Sequence, residues 1–152
     1  MSAIQYREVN KSDIPSLAKI RAAESGTVEY WNLRITAYLN KEHHPQKALL
    51  PRILYVAIKN DRVIGFVAGH LTKRFECHGE LEWINVIPDE RRNGIAFELT
   101  RLLFRWFSKQ NAVKICVDPG NQIARKFYLK HGAEKLNEHW LFWSNINELL
   151  SN

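Results

Sequence analysis

The chain has 152 residues, of which 45% are hydrophobic and 25% are charged. These values exclude a disordered or fibrous protein and fit one globular domain over residues 1–152. No apolar run reaches the length of a membrane span, and the N-terminal residues do not resemble a signal peptide, so a cytoplasmic protein without membrane contact is expected. The net charge of +6 favours an anionic ligand, but no long block of Lys and Arg occurs, so nucleic acid is not an expected partner.

The first third of the chain predicts one short strand and two helices. Weak alternation over residues 4–9 predicts a strand, and a helical stripe that ends before Gly26 predicts a helix over residues 13–24. A mixed apolar face predicts a second helix over residues 28–39, and the polar stretch over residues 40–51 predicts a mobile connection. Two helices are therefore expected between the first strand and the next.

The middle of the chain predicts an antiparallel meander. Strands over residues 53–59 and 63–72 flank an Asn-Asp hairpin turn, and a third strand follows a polar connection, over residues 80–87. Gly65 and Gly69 lie inside the second strand, where glycine indicates a bulge or the close approach of another backbone.

Two carboxylates mark the start of the third strand. Side chains alternate along a strand, so one face is predicted to carry Glu80, Glu82, Ile84 and Val86, and the other Leu81, Trp83, Asn85 and Ile87. Carboxylates are rarely buried without a partner, so this face either opens into a cleft or meets nearby cations. One of the glutamates would then be a general base; the alternative is an exposed strand start with solvated carboxylates.

A tight loop follows this strand. Pro88 ends the strand, and apolar residues at helical spacing predict a helix over residues 94–110. A helix start leaves main-chain N–H groups without partners, and Gly94 followed by a small residue lets an anion come close to them. The residues predicted to bind a pyrophosphate here are Arg91, Arg92, Asn93, Gly94, Ile95 and Ala96. The alternative is an ordinary turn without a ligand.

The last third of the chain predicts a parallel strand, a helix and a final strand. The strand over residues 114–117 should lie parallel to the third strand of the meander, because a helix connects the two in a crossover. A helix over residues 121–131 ends at Gly132, and a strand over residues 133–143 follows. Asn121, Ala124 and Tyr128 share one helical face, a combination of amide, small residue and phenol that suits a thin polar ligand.

Two short patterns together resemble a known family. The pattern Arg91-x-x-Gly94-x-Ala96 after a strand, and the pattern Asn121-x-x-Ala124-x-x-Phe127-Tyr128 on a helix, are similar to the two cofactor motifs of the GNAT superfamily of N-acetyltransferases. The main departure is Ala133, where the family usually has a bulky residue. The resemblance implies an α/β (α+β) fold: a mixed, twisted, mostly antiparallel sheet, splayed at the acyl-CoA site and flanked by helices on both faces.

The resemblance also implies how a cofactor would bind. The main chain from Arg91 to Ala96 would hold the pyrophosphate of acetyl-CoA, and the exposed main chain of Ile84 and Val86 would pair with the pantetheine arm. Asn121 would hydrogen-bond the same arm, beside the small Ala124. Acetyl-CoA is thus the expected cosubstrate, and no metal is expected.

The catalytic roles follow from the chemistry of amine acetylation. Glu82 or Glu80 would take the proton of the amine, with His70 as a third candidate, and Tyr128 would protonate the departing thiolate. The two glutamates are not ranked by the sequence. The region between the first two strands usually covers the acceptor site in this family, so Trp31 and Arg34 are candidate substrate contacts.

The expected activity is transfer of an acetyl group from acetyl-CoA to a primary amine, by direct attack in a ternary complex. The acceptor would be a small molecule or a protein, and a homodimer is left open as an assembly. Two alternatives remain at this point: a non-catalytic acyl-CoA-binding regulatory module, and acetylation of an amine linked to tRNA.

Overall fold

One seven-stranded sheet organises the computed structural model, which describes residues 3–151. The strands are β1 (Gln5–Glu8), β2 (Ala48–Lys59), β3 (Arg62–Thr72), β4 (Gly79–Val86), β5 (Ile115–Val117), β6 (Glu134–Lys135) and β7 (Leu141–Trp143). They lie in the order β1-β2-β3-β4-β5-β7-β6, and every neighbouring pair is antiparallel except β4 and β5. The expected mixed, mostly antiparallel sheet is confirmed.

Helices cover both faces of this sheet. They are α1 (Ile14–Ala22), α2 (Val28–Leu39), α3 (Ile95–Lys109), α4 (Gln122–Lys130) and α5 (Asn147–Leu150). One core lies between the sheet and α3, where Leu99, Leu103 and Phe107 are fully buried. The second core lies between the sheet and the pair α1 and α2, and it contains Leu17 and Ile35. Within residues 3–151, no helix combines the length and the apolar character needed to cross a membrane.

Most predicted elements appear close to their predicted bounds. Helix α2 occupies residues 28–39 as predicted, and the turn between β2 and β3 has left-handed φ angles at Asn60 (52°) and Asp61 (61°), as a two-residue hairpin requires. Strand β2 begins at Ala48 and so includes part of the predicted connection over residues 40–51.

The prediction of one final strand over residues 133–143 is wrong. It is two short strands, β6 and β7, that pair with each other around a turn. The side chain of Asn137 accepts hydrogen bonds from the N–H groups of His139 (3.0 Å) and Trp140 (2.9 Å). This side chain takes over bonds that would otherwise extend a ladder, and the chain reverses there.

The predicted division of β4 into two faces is also wrong, because the strand contains a bulge. Ala68 pairs with Trp83 and Gly69 with Leu81, so Glu82 has no partner on β3. An extra residue shifts the alternation of side chains. Leu81 therefore packs in the core beneath α3, whereas Trp83 packs in the core beneath α1 and α2.

The bulge separates Glu80 and Glu82 from Ile84 and Val86, four residues that simple alternation placed on one face of β4. Ile84 and Val86 pack on the α3 side of the sheet, whereas Glu80 lies near His70 and Arg74 on the other side. The carboxylate of Glu82 stays close to the carboxylate of Glu80 and the imidazole of His70, since one oxygen or ring nitrogen from each residue lies within 4.8 Å of the other two. The bulge thus keeps the two carboxylates together while turning the following residues away.

The predicted role of the two glycines in β3 is confirmed, since both lie at register shifts. A Cβ at Gly69 would lie 2.8 Å from Leu103 Cδ1 and 3.0 Å from the main-chain oxygen of Glu80. A Cβ at Gly65 would lie 2.9 Å from the main-chain oxygen of Asn85. Glycine at both positions lets the backbone of β4 approach.

We expect Gly69→Ala to lower the free energy of unfolding by about 1–3 kcal/mol, because the added methyl overpacks the core against Leu103. The matched background is Leu103→Ala, which removes the Cδ1 atom that the methyl meets. In that background Gly69→Ala should cost less, and chemical denaturation of the four proteins of this cycle measures the coupling. An equal cost in both backgrounds would contradict the packing explanation.

Candidate active site

The sheet opens between β4 and β5. These strands pair only between residues Gly79–Leu81 and Ile115–Val117, and the bulge at Glu82 comes immediately afterwards. The N–H of Ile87 donates to Ile64 on β3 (2.9 Å). Main-chain groups alternate in direction along a strand, so those of Ile84 and Val86 point to the open side, as predicted for residues that pair with an extended ligand.

The loop after β4 presents a row of main-chain donors. Gly94, with φ of 75°, precedes α3, and within the described part of the chain the N–H groups of residues 92–97 have no protein acceptor. These are Arg92, Asn93, Gly94, Ile95, Ala96 and Phe97. A Cβ at Gly94 would meet no atom within 4 Å. The loop is therefore open to an anion at the positive end of a helix. We call this segment, residues 88–97, the anion loop.

Arg91 does not match its predicted place in this row. Its N–H donates to the oxygen of Pro88 (3.2 Å) and closes a helical turn. Its guanidinium donates to the oxygen of Val86 (3.0 Å) and to a carboxylate oxygen of Glu24 (3.0 Å). Arg91 therefore ties the loop to β4 and to the end of α1, and the free main-chain donors begin at Arg92.

The predicted helix face is carried by α4. Asn121 is the N-cap, and its Oδ1 accepts from the N–H of Ala124 (2.8 Å). Its amide nitrogen remains to donate to a ligand. Tyr128 is only 3% exposed and packs edge-on against Trp143. Its hydroxyl has no hydrogen-bond partner among residues 3–151. Burial raises the pKa of Tyr128, which keeps the phenol protonated and able to donate.

The two glutamates of β4 have different surroundings. Glu80 is buried, with its carboxylate 3.2 Å from Nε of Arg74 and 3.6 Å from Nε2 of His70. The other ring nitrogen of His70 lies 2.9 Å from the hydroxyl of Tyr38. Glu80 is therefore held as a partner in a buried network.

Glu82 has no such partner. Within the described residues, no cation lies within the 4.0 Å of an ion pair from its carboxylate. Burial raises the pKa of Glu82 to about 7, and the nearby charge of Glu80 adds to this shift, while Arg34, Arg74 and Arg21 oppose it. A carboxylate that titrates near neutral pH is well matched to a general base.

His70, Glu80 and Glu82 form a group that could in principle hold a metal ion. The charges around it oppose a cation. Arg74 is already paired with Glu80, and Arg21 and Arg34 are close enough to influence Glu82. A divalent ion would have to displace one guanidinium and bind beside two more, so the arrangement is better suited to moving a proton.

Aromatic rings form the wall on the α2 side. Trp31, 8% exposed, packs edge-on against Trp83 and Tyr30, and its indole N–H donates to the oxygen of Ser25 (2.7 Å). Arg34, one turn further on, donates to the hydroxyl of Tyr30 (3.0 Å). The two residues predicted as substrate contacts therefore lie together beside the carboxylates.

Arg21 is a site residue that sequence reasoning missed. Its guanidinium lies 4.3 Å over the ring of Trp31 and donates to Oδ1 of Asn85 (3.1 Å). It is also near enough to influence Glu82 and to be influenced by Tyr128. The available signal was its position: a charged residue that continues the apolar stripe of α1 is rarely there without a function or a partner.

The model of the Acetyltransferase (GNAT) family matches residues 21–133 of the chain. The chain belongs to the GNAT family of acetyltransferases. This match spans the open strands, the anion loop and the helix of Tyr128, so the predicted family is confirmed. A search of curated protein sequences found no match.

Solved GNAT structures share the fold at low sequence identity. The PaiA N-acetyltransferase of Thermoplasma acidophilum, in complex with coenzyme A, has a TM-score of 0.68 and 14% identity, over 93% of this chain and 99% of that one. The aminoglycoside N-acetyltransferase AAC(6')-Iy, in complex with CoA, has a TM-score of 0.72 and 21% identity, over 91% and 92%. Ard1 of Thermoplasma volcanium has a TM-score of 0.69 and 18% identity, over 92% and 95%.

We expect Glu82→Gln to stabilise the protein, and to do so more at high pH. The raised pKa means that ionisation of Glu82 opposes folding. This cost is absent below a pH of about 4.5, grows as the pH rises toward about 7, and is complete above it. Thermal unfolding of wild type and variant from about pH 5 to about pH 8 should show a widening gap. The exposed Glu138→Gln variant is the matched control, and a stability loss in Glu82→Gln at high pH would contradict the assignment.

Proposed function

We propose that this GNAT protein transfers an acetyl group from acetyl-CoA to a primary amine of a small molecule or a protein. The amine attacks the thioester directly in a ternary complex, with Glu82 as base and Tyr128 as acid. The observation that carries the proposal is a carboxylate without a cation partner, that of Glu82, at the bulge where β4 leaves β5. Burial raises the pKa of this carboxylate toward neutral pH. The coenzyme A bound by PaiA and by the aminoglycoside N-acetyltransferase, which share this fold, supports the choice of cofactor.

Acetyl-CoA would bind along the open edge of β4. The N–H groups of residues 92–97 and the N-terminal end of α3 would hold the pyrophosphate, since both present positive charge without using a side chain. The main-chain groups of Ile84 and the N–H of Val86 would pair with the pantetheine amides like an added strand. Ala124 keeps space beside this arm, and the amide nitrogen of Asn121 can donate to it.

The acceptor amine must lose a proton in order to attack. Glu82 would accept this proton, directly or through a water molecule, as the nitrogen forms a bond to the thioester carbon. Glu80 is the weaker candidate, because Arg74 already pairs with its carboxylate. The carbonyl oxygen becomes an oxyanion, and a main-chain N–H of β4 near Val86 would stabilise it.

Collapse of the tetrahedral intermediate breaks the bond from carbon to sulfur. The thiolate of coenzyme A would leave and take a proton from Tyr128, whose hydroxyl has no competing partner among residues 3–151. Arg21 lies close enough to Tyr128 to favour the phenolate that forms, which then regains a proton from solvent. Holding both reactants in one cleft supplies further acceleration.

Wild-type protein mixed with acetyl-CoA and a panel of primary amines should release free coenzyme A, detected with a thiol reagent. We expect kcat/KM to rise with pH through about 7, because the ionised form of Glu82 is the base. Glu82→Gln should lower the rate by about 10²-fold or more and remove the contribution of Glu82 near pH 7, leaving only the rise that comes from deprotonation of the amine. If calorimetry shows that coenzyme A binds, but no amine in the panel leads to release of free coenzyme A from acetyl-CoA, the non-catalytic acyl-CoA-binding module would be favoured instead.

Tyr128→Phe removes only the hydroxyl group of this side chain. We expect kcat to fall by about 10²-fold, with unchanged affinity for coenzyme A by calorimetry and little change in thermal stability, because the hydroxyl bonds to no residue of the described chain. Tyr55→Phe on β2 is the matched control, since Tyr55 is half-buried and far along the sheet from α4. An unchanged rate in Tyr128→Phe would assign protonation of the thiolate to water.

A further inference from the structure

Two arginines at the acceptor side of the cleft lack a carboxylate. Among residues 3–151, no carboxylate oxygen lies within 4.0 Å of the guanidinium of Arg21 or Arg34. Their hydrogen bonds go to neutral groups, the amide of Asn85 and the hydroxyl of Tyr30. The Nε atom of each arginine is buried and has no hydrogen-bond partner.

The positive charges of the two guanidiniums also repel each other. Burial lowers the pKa of Arg21, and the nearby Arg34 lowers it further, while the carboxylates of Glu24 and Glu82 act in the opposite direction. Two buried N–H donors beside two like charges form an arrangement that an anion would stabilise. Neither arginine is needed to fix Glu80, which is paired with Arg74.

The remaining charges near this wall do not compensate for the two arginines. Glu24 is paired with Arg91. Arg52 donates to the main-chain oxygens of Tyr38 and His43, and it adds positive charge of its own. Glu82 is the remaining carboxylate close to the wall among the described residues. With Glu82 ionised, the pair Arg21 and Arg34 by itself leaves one positive charge in excess, and Arg52 adds to that excess.

We propose that the acceptor of this enzyme is a small amine that also carries a carboxylate. The carboxylate binds to Arg21 and Arg34, and the amine lies against Glu82. One carboxylate neutralises the excess charge of the pair Arg21 and Arg34, whereas a polycation adds to it. The guanidinium fork matches the two oxygens of a carboxylate. This inference rests on the proposed acetyl transfer and specifies its substrate class.

The first experiment compares acceptors that differ only in the carboxylate. The probes are glycine, β-alanine, 4-aminobutyrate, 6-aminohexanoate and the common L-amino acids, each beside its own carboxamide. Kanamycin and spermidine represent polycations, and O-phosphoethanolamine represents a phosphate. We expect at least one acid to exceed its carboxamide by about tenfold or more in kcat/KM. In the α-amino pairs the amine of the carboxamide is the less basic one, so more of it is unprotonated at neutral pH, and basicity cannot explain a preference for the acid.

The second experiment removes one charge. Arg34→Gln should raise KM for the preferred acid by about tenfold or more relative to KM for the matched carboxamide, and Arg34→Lys should restore part of the preference. The ratio between the two acceptors is the readout, because the loss of Arg34 also acts on Glu82 and so affects both of them. Arg105→Gln, at an exposed position of α3, removes the same charge away from the cleft and should keep the wild-type preference. Equal losses in Arg34→Gln and Arg105→Gln would show an effect of net charge and overturn the assignment.

The outcomes separate the acceptor class from the acetyl transfer itself. Turnover of carboxamides, kanamycin, spermidine or O-phosphoethanolamine at rates equal to or above those of the acids would overturn the acceptor class and retain the transferase. If no amine releases coenzyme A, calorimetry decides: the complex with coenzyme A should bind the N-acetyl form of an acid more tightly than the N-acetyl carboxamide, and Arg34→Gln should abolish the difference. Equal binding would overturn the inference, whatever the fate of the proposed activity.

Discussion

The extra residue at Glu82 in β4 is the constraint on which the rest of the site depends. It breaks the pairing register with β3 and reverses the side-chain alternation, so that the carboxylate reaches the side of α1 and α2 while Ile84 and Val86 turn toward α3. It also comes immediately after Leu81, the last residue of β4 that pairs with β5. One backbone irregularity thus opens the sheet and delivers a carboxylate to the opening.

The electrostatics of the cleft follow from this placement. Glu80 lies deeper, where Arg74 and the ring of His70 hold its carboxylate. Its negative charge and the burial of Glu82 together raise the pKa of Glu82 to about 7. The two carboxylates are close in sequence but differ in their surroundings, because Glu80 has a cation at hydrogen-bond distance and Glu82 does not. A single strand thereby provides both the proposed base and its electrostatic neighbour.

Sequence reasoning succeeded where the signal was local. The anion loop is a strand, a turn at Gly94 and a helix in succession, and the helix of Tyr128 has its cap and its glycine stop in adjacent positions. Such patterns depend on a few neighbouring residues, so they can be read without knowing what packs against them. The prediction of one final strand failed even though the turn around Asn137 is also a local side-chain effect, because the apolar residues near it concealed the turn.

The sequence by itself determined the family, the order of the elements and the position of the anion loop, because motif spacing and hydrophobic periodicity are properties of the chain. Only the tertiary structure decided which face Glu82 occupies, which carboxylate remains without a cation, and that Arg21 belongs to the site. Those outcomes depend on contacts between distant segments: Gly69 against the backbone of Glu80, and Arg21 against Asn85 and Trp31. Burial and charge proximity, which set pKa values, exist only once these segments are packed together.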